Sequence, residues 1–158
     1  MRTLLILLLH LSLFASSYNF EEIKYVSAVD TTFYKYGKIE TLDKKTIITY
    51  TKPNFKQITK TDDNVSIKSS SGDVYNLKGK ALYYTKLFID VMVKLGEFKQ
   101  IKTNRDFKVE KDGDMFYLTF LEDMADSIVK AEVKTKNSKV ISFKMFMPNE
   151  DTLEIIKK

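Results

Sequence analysis

Alternation is the property that limits this chain. From Thr46 to Ile155 apolar residues stand at every second position in most segments, the period of antiparallel strands buried on one face. Ile48 and Tyr50 share one face of Thr46–Lys52, and after the break at Pro53 the run Phe55–Lys60 resumes. Val65 with Ile67, and then Val74–Leu77, read as short strands. Phe107 and Val109 alternate with charged residues; Val129, Ala131 and Val133 alternate with Lys130, Glu132 and Lys134. Val140–Met147 places Ile141, Phe143, Met145 and Met147 on one face, and Leu153 and Ile155 follow near the end. Turn-forming clusters divide these runs: Asp62-Asp63-Asn64, Ser69-Ser70-Ser71-Gly72-Asp73, Lys111-Asp112-Gly113-Asp114 and Lys136-Asn137-Ser138-Lys139. Asp-Gly is the strongest hairpin signal among them, because glycine reaches positive φ without strain.

Two segments depart from simple alternation. In Lys80–Leu95 the apolar residues Leu82, Tyr83, Tyr84, Leu87, Phe88, Val91, Met92 and Leu95 recur three and four apart, and Gly96 follows. This predicts an amphipathic helix with a C-terminal glycine cap, packed across a sheet by a wide apolar arc. Met115–Leu121 is apolar on both faces, with Phe116, Leu118 and Phe120 on one and Met115, Tyr117 and Leu121 on the other. Such a strand needs cover on both sides. No repeat and no linker interrupts the pattern, so the fold class is mainly β (α+β): one domain of antiparallel sheet with one helix.

Composition removes most chemistry. The chain has no Cys, no Trp and a single His, His10. His10 lies in an opening segment with a basic residue, Arg2, an apolar run from Leu4 to Phe14, and the small residues Ala15-Ser16-Ser17. That is the pattern of a secretory signal peptide over residues 1–17, cut before Tyr18, leaving 18–158 as the single domain. The apolar run is shorter than the roughly 20 residues that a membrane span needs, which weighs against the competing reading, an uncleaved anchor. Removing seventeen of the 158 residues leaves 141 without His or Cys, and the net charge falls from +5 to +4 as Arg2 leaves. A Ser-His-Asp triad, a Cys-His dyad and His-ligated metal or haem are then impossible in the mature domain. No phosphate-cradling glycine motif is present. The basic residues are almost all Lys, dispersed at solvent-facing strand positions, which argues against nucleic acid. Arg105, the sole mature arginine, reads as a surface residue of the loop around Lys102–Asp106.

The order of these pieces resembles the periplasmic lipoprotein carrier family, the LolA-like proteins, over roughly residues 20 to 157. A signal peptide without a lipidation cysteine heads the chain. Gly37-Lys38-Ile39, Thr46–Tyr50, Thr51-Lys52-Pro53 and Ile58 with the Asp62-Asp63 turn are similar to the family's early hairpin and the segment that follows it. Lys80–Leu95 stands where the family carries helices over its sheet. Phe107-x-Val109-x-x-x-Gly113-Asp114-x-Phe116-x-Leu118-Thr119 is similar to the later hairpin, continued by Val129–Val133 and Val140–Met147.

The resemblance implies a curved antiparallel sheet, a half-open β-barrel with a helix lid. It implies a periplasmic chaperone without enzymatic activity or cofactor, whose cavity takes up the acyl chains of lipoproteins. Its partners would be acylated lipoproteins, an inner-membrane ABC transporter that releases them and an outer-membrane acceptor. The family also has an early arginine that bonds to the lid; the basic residues near that place here are Lys44 and Lys45. The family's Trp residues are missing, and Asn19–Val29 must supply its N-terminal helix or be strand instead. On this reading Ile48, Tyr50, Phe116, Leu118, Phe143 and Met145 line the concave face, and Leu87, Phe88, Val91 and Met92 form the lid. Two rivals stand beside it. One is an exported β-rich interaction or inhibitor module with a filled core and no lipid cavity. The other is a carboxylate enzyme using a pair such as Glu110 and Asp112, for which no supporting motif is present.

Overall fold

The alternating runs become the strands of one sheet. The computed structural model describes residues 15–96, 102–103, 107–121, 126, 128–137 and 139–158. Within them β1 (Ala15–Val26), β2 (Thr31–Leu42), β3 (Lys45–Lys52), β4 (Lys56–Lys60), β5 (Val65–Lys68) and β6 (Val74–Asn76) precede the helix α1 (Gly79–Gly96). After it come β7 (Phe107–Asp112), β8 (Met115–Phe120), β9 (Lys130–Lys136), β10 (Lys139–Phe146) and β11 (Thr152–Lys157). All eleven strands form one antiparallel sheet in the order β6-β5-β4-β3-β2-β1-β11-β10-β9-β8-β7. A twisted sheet of this width curls, which gives it an inner and an outer face.

The order describes two meanders joined back to back. Chain neighbours are sheet neighbours within β1–β6 and within β7–β11, the cheapest topology for short connections. The first and last strands pair in the middle, from Phe20 opposite Lys157 to Tyr25 opposite Thr152. The outer edges, β6 and β7, are bridged in sequence by α1. The helix therefore crosses the inner face and touches β5, β2 and β1 of one meander and β10 of the other.

Helix residues Ile89 and Met92 are buried, and Leu82, Phe88 and Val93 pack half-buried against the same core. These five share one helical face; Leu82, Phe88 and Met92 belong to the arc read from the sequence, whereas Ile89 and Val93 lie outside it and turn the buried face round the helix. Tyr83 lies off that face and is exposed. The helix bounds agree with the sequence reading to within a residue.

Three differences from the sequence reading have local causes. Asn19–Val29 supplies no N-terminal helix: β1 runs through Val26, and only Ser27–Val29 forms a single 3-10 turn. Its inward residues Tyr18 and Phe20 are core. The second concerns β10. The sequence puts Ile141 on the face of Phe143 and Met145, but a bulge between Val140 and Ser142 resets the parity. Val140 is buried with Phe143 and Met145, and Ile141 is half-buried. The third is β8, whose outer residues Met115 and Tyr117 are half-buried, with no second layer among the described residues. Their register partners are Lys134 and Glu132, whose long stems can cover an apolar neighbour.

Gly37 shows how closely the sheet is packed on its inner face. It stands between Phe20 of β1 and Tyr50 of β3 in register. The two rings meet edge to face over it, with centroids 5.5 Å apart. A Cβ at this position would lie 2.5 Å from the Thr49 carbonyl oxygen and 2.8 Å from Phe20 Cζ. Only glycine leaves room for that contact.

Candidate functional site

Register assembles the inner face into rows that run across strands. One row is Tyr18, Ile39, Ile48, Ile58 and Ile67. The next is Phe20, Gly37 and Tyr50, ending at Lys56. On the other meander Ile155, Phe143, Val133 and Phe116 form a row, and Leu153, Met145, Ala131 and Leu118 form its neighbour. Ile48, Tyr50, Phe116, Leu118, Phe143 and Met145 are thus all on this face, all buried, and all members of one core with Ile89 and Met92 of α1. Of the four helix residues named from the sequence, Met92 is buried and Phe88 is half-buried against that core. The side chains of Leu87 and Val91 lie outside the described ones.

Two polar contacts tie α1 to the sheet. The Tyr18 hydroxyl donates to the Met92 carbonyl oxygen at 2.5 Å. Burial pushes the Tyr18 phenol well above its usual range, so it remains a donor. On the other flank Lys60 of β4 makes an ion pair with Asp90 of α1. The sequence pointed to Lys44 or Lys45 for such a bond. Lys44 instead reaches Asp62 at 3.8 Å, with both side chains largely exposed, and Lys45 opens β3 on the surface. Position explains the exchange: Lys60 shares the inward parity of Ile58, and its chain reaches up to the helix.

Around that ion pair lies a polar pocket of about 410 Å³. It is lined by Lys44, Lys60 and Lys86 and by Asp43, Asp62 and Asp90, among others. Lys86 donates to the Asp62 carbonyl oxygen at 3.0 Å, a further tether of the helix to the β4–β5 loop. The flank of α1 is therefore polar and the underside apolar.

A second polar group sits on the inner face itself. Glu22 of β1 is buried beside Tyr50 and Phe20. It accepts from Lys35 Nζ at 2.6 Å and from the Tyr50 hydroxyl at 2.6 Å. Burial, and then the nearby Glu22 carboxylate, hold the Tyr50 phenol well above its usual range. Lys35 and Lys56 both lie over the Tyr50 ring, at 5.6 and 5.7 Å from its centroid. The sequence reading treats the lysines as solvated; Lys35 and Lys60 depart from that, since inward parity brings them to Glu22 and Asp90, while Lys56 stays exposed beside the Tyr50 ring. The signal available for the cluster was Tyr18-x-Phe20-x-Glu22, in which the carboxylate takes an apolar residue's place.

The remaining candidates do not gather into a site. Glu110 and Asp112 are exposed on β7. Arg105 and residues 1–14, most of the segment read as a signal peptide, lie outside the described residues. Among the described residues no group of three His, Cys, Asp or Glu is placed to hold a metal ion, and no helix is long and apolar enough to cross a membrane.

No protein-family model matches this chain, and no match is found among curated proteins. Solved structures are similar to it. One, described as an outer membrane lipoprotein-sorting protein domain from Vibrio parahaemolyticus, is 7% identical with a TM-score of 0.44, over 91% of this chain and 83% of that one. A LolA superfamily protein from Nitrosomonas europaea is 8% identical with a TM-score of 0.41, over 91% and 84%. A DUF1329 family protein from Desulfovibrio piger is 7% identical with a TM-score of 0.46, over 93% and 85%. The chain is a mainly β protein whose described residues form an open sheet of eleven antiparallel strands with one α-helix across its inner face.

Proposed function

We propose that this chain is an exported carrier that holds the acyl chains of lipoproteins between α1 and the inner face of its sheet. The observation that supports this reading is the way the core is divided. The sheet is continuous, whereas its cover among the described residues is one helix, which follows one edge strand and precedes the other. The polar tethers among the described residues include Tyr18 to Met92, Lys60 to Asp90 and Lys86 to the Asp62 carbonyl. Lifting α1 exposes Ile89 and Met92, a loss of about 1.5–3 kcal/mol for each, and the half-buried Leu82, Phe88 and Val93, at about half as much each. An acyl chain of about 15 methylenes, buried in their place, returns about 12 kcal/mol at 0.8 kcal/mol per methylene. Cargo can therefore outcompete the helix. Release is served by Met92 and Met145, whose flexible thioethers fill space without fixing one ligand shape.

In this account Ile48, Tyr50, Phe116, Leu118, Phe143 and Met145 contact the cargo, and Leu87, Phe88, Val91 and Met92 belong to the lid. The carrier works in the periplasm between an inner-membrane ABC transporter and an outer-membrane acceptor, and catalyses no reaction. The leader is cut after Ser17, so that the mature β1 begins at Tyr18 and loses the pairing of Ala15–Ser17 with Leu42–Glu40. The test is photocrosslinking in cells from Leu118 and Phe143. Adducts with lipoproteins are expected from both positions, and none from Thr119, an exposed position on the same strand.

One observation favours a second reading. Ile48, Met92, Ala131 and Ile155 have essentially no exposed surface, as in a core that never opens. In that case the chain is an exported interaction module and its outer surface carries the function. Crosslinks to one partner protein from Thr119, with none from Leu118 or Phe143, would select it.

A further inference from the structure

The charge cluster around the buried Glu22 on the inner face has more positive charge than its own fold needs. Glu22 is 5% exposed in its side chain, and Lys35, 2.6 Å away, already neutralises it. The Tyr50 hydroxyl satisfies its second oxygen at 2.6 Å. A buried carboxylate is costly to keep even when paired, and an apolar residue of similar size would serve the core better. Lys56 is then a second ammonium at the same ring, 5.7 Å from the Tyr50 centroid, with no ion-pair partner among the described residues. By formal charge the group of Glu22, Lys35 and Lys56 carries one positive charge in excess. Partial burial, and then the Lys35 charge, hold the Lys56 ammonium below its usual range, against the opposite pull of Glu22.

The surroundings say what kind of anion fits. Lys35 is 40% exposed in its side chain, so the cluster is reachable from solvent. Inward of it lie Phe20, Tyr50, Ile155 and Phe143, all buried apolar surface. Outward lie Phe33, two residues from Lys35 along β2, and Phe55, next to Lys56, both exposed. Charge flanked by apolar surface matches an amphiphile and not a free ion.

We infer that Lys35 and Lys56 form a headgroup site for an anionic amphiphile, binding a phosphate or carboxylate while its alkyl chain enters the inner face. This deepens the carrier reading and rests on it. Glu22 and Tyr50 act as positioning residues: the carboxylate fixes Lys35, and the ring sets the separation of the two ammoniums. The site selects cargo or lipid by headgroup charge, which an apolar groove alone does not do.

The test uses calorimetric titration of the full chain with dodecyl phosphate, dodecanoate, dodecanol and inorganic phosphate at neutral pH. Both anionic amphiphiles are expected to bind about tenfold more tightly than dodecanol, the worth of one charge-assisted contact. Lys56→Met is the variant of choice, because its side chain is exposed and pairs with no carboxylate among the described residues. It should abolish the preference and leave dodecanol unchanged. Stronger binding of the phosphate points to a phospholipid-type headgroup, and of the carboxylate to a fatty acid; both support the site. Equal binding of dodecanol and the anions overturns the headgroup site and leaves carriage standing. Inorganic phosphate binding as tightly as dodecyl phosphate assigns the site to a free ion and overturns the amphiphile. Absence of binding by all four overturns the site and the carrier reading together.

Discussion

Substituting Gly37 by alanine probes the packing of the inner face at its tightest point. The new Cβ would stand 2.5 Å from the Thr49 carbonyl oxygen and 2.8 Å from Phe20 Cζ. Comfortable separations are about 3.5–4.0 Å between carbon atoms, so both contacts are short by most of an ångström. The Phe20 ring can turn away, but only by leaving its edge-to-face contact with Tyr50. That contact is worth about 0.5–1.5 kcal/mol. The Thr49 oxygen is main chain in β3, and moving it strains a strand paired on both sides. Overpacking of this kind costs about 1–3 kcal/mol. Together the expected loss is about 2–4 kcal/mol, or a fall in Tm on the order of 8 °C for a domain of this size. Urea unfolding followed by circular dichroism measures it, with the slope unchanged. Phe20→Leu in the same chain should recover about 1 kcal/mol through coupling, since it removes one of the two clashes. A Gly37→Ala protein within about 0.5 kcal/mol of the parent would refute the argument, because packed cores do not absorb such overlaps.

Other predictions follow from the same geometry. Tyr18 and Tyr50 are held protonated by burial, so above pH 10.0 only the unfolded chain releases their protons. Stability should then fall by about 2.7 kcal/mol per pH unit for two groups, and Tyr18→Phe should halve that slope. Lys56 acts the other way. Its folded pKa is lowered, so stability rises between that value and 10.5, and the effect ends there. Asp90→Asn removes the Lys60 ion pair, which is partly exposed, so global stability should change by less than about 1 kcal/mol. Hydrogen exchange of the α1 amides should nonetheless quicken relative to those of β1 and β2; uniform protection would show that the pair tethers nothing.

Much of the sheet was legible because its inner face obeys a strict period. Ile48 with Tyr50, and Phe116 with Leu118, could be assigned to a face from spacing alone, and the helix from the change of period. β1 was hard to read because its polarity is inverted. Glu22 points inward among core residues, while Ile23 and Tyr25 point outward. No alternation rule separates such a strand from a helix. β10 misled in a different way: one extra residue at the bulge shifts Val140 into the core, and a bulge has no signature in Val-Ile-Ser. The tether from Lys60 to α1 was invisible because it depends on which face of β4 lies under the helix, a fact of register and not of composition.

The account rests on α1 being a removable cover. Native mass spectrometry of the full chain, purified without detergent from the cells that make it, addresses this most directly. A population carrying the mass of an acylated ligand, displaced on adding a lipidated peptide, is the predicted result. A protein of bare polypeptide mass that takes up no lipidated peptide would contradict it, and α1 would then be a fixed part of the core.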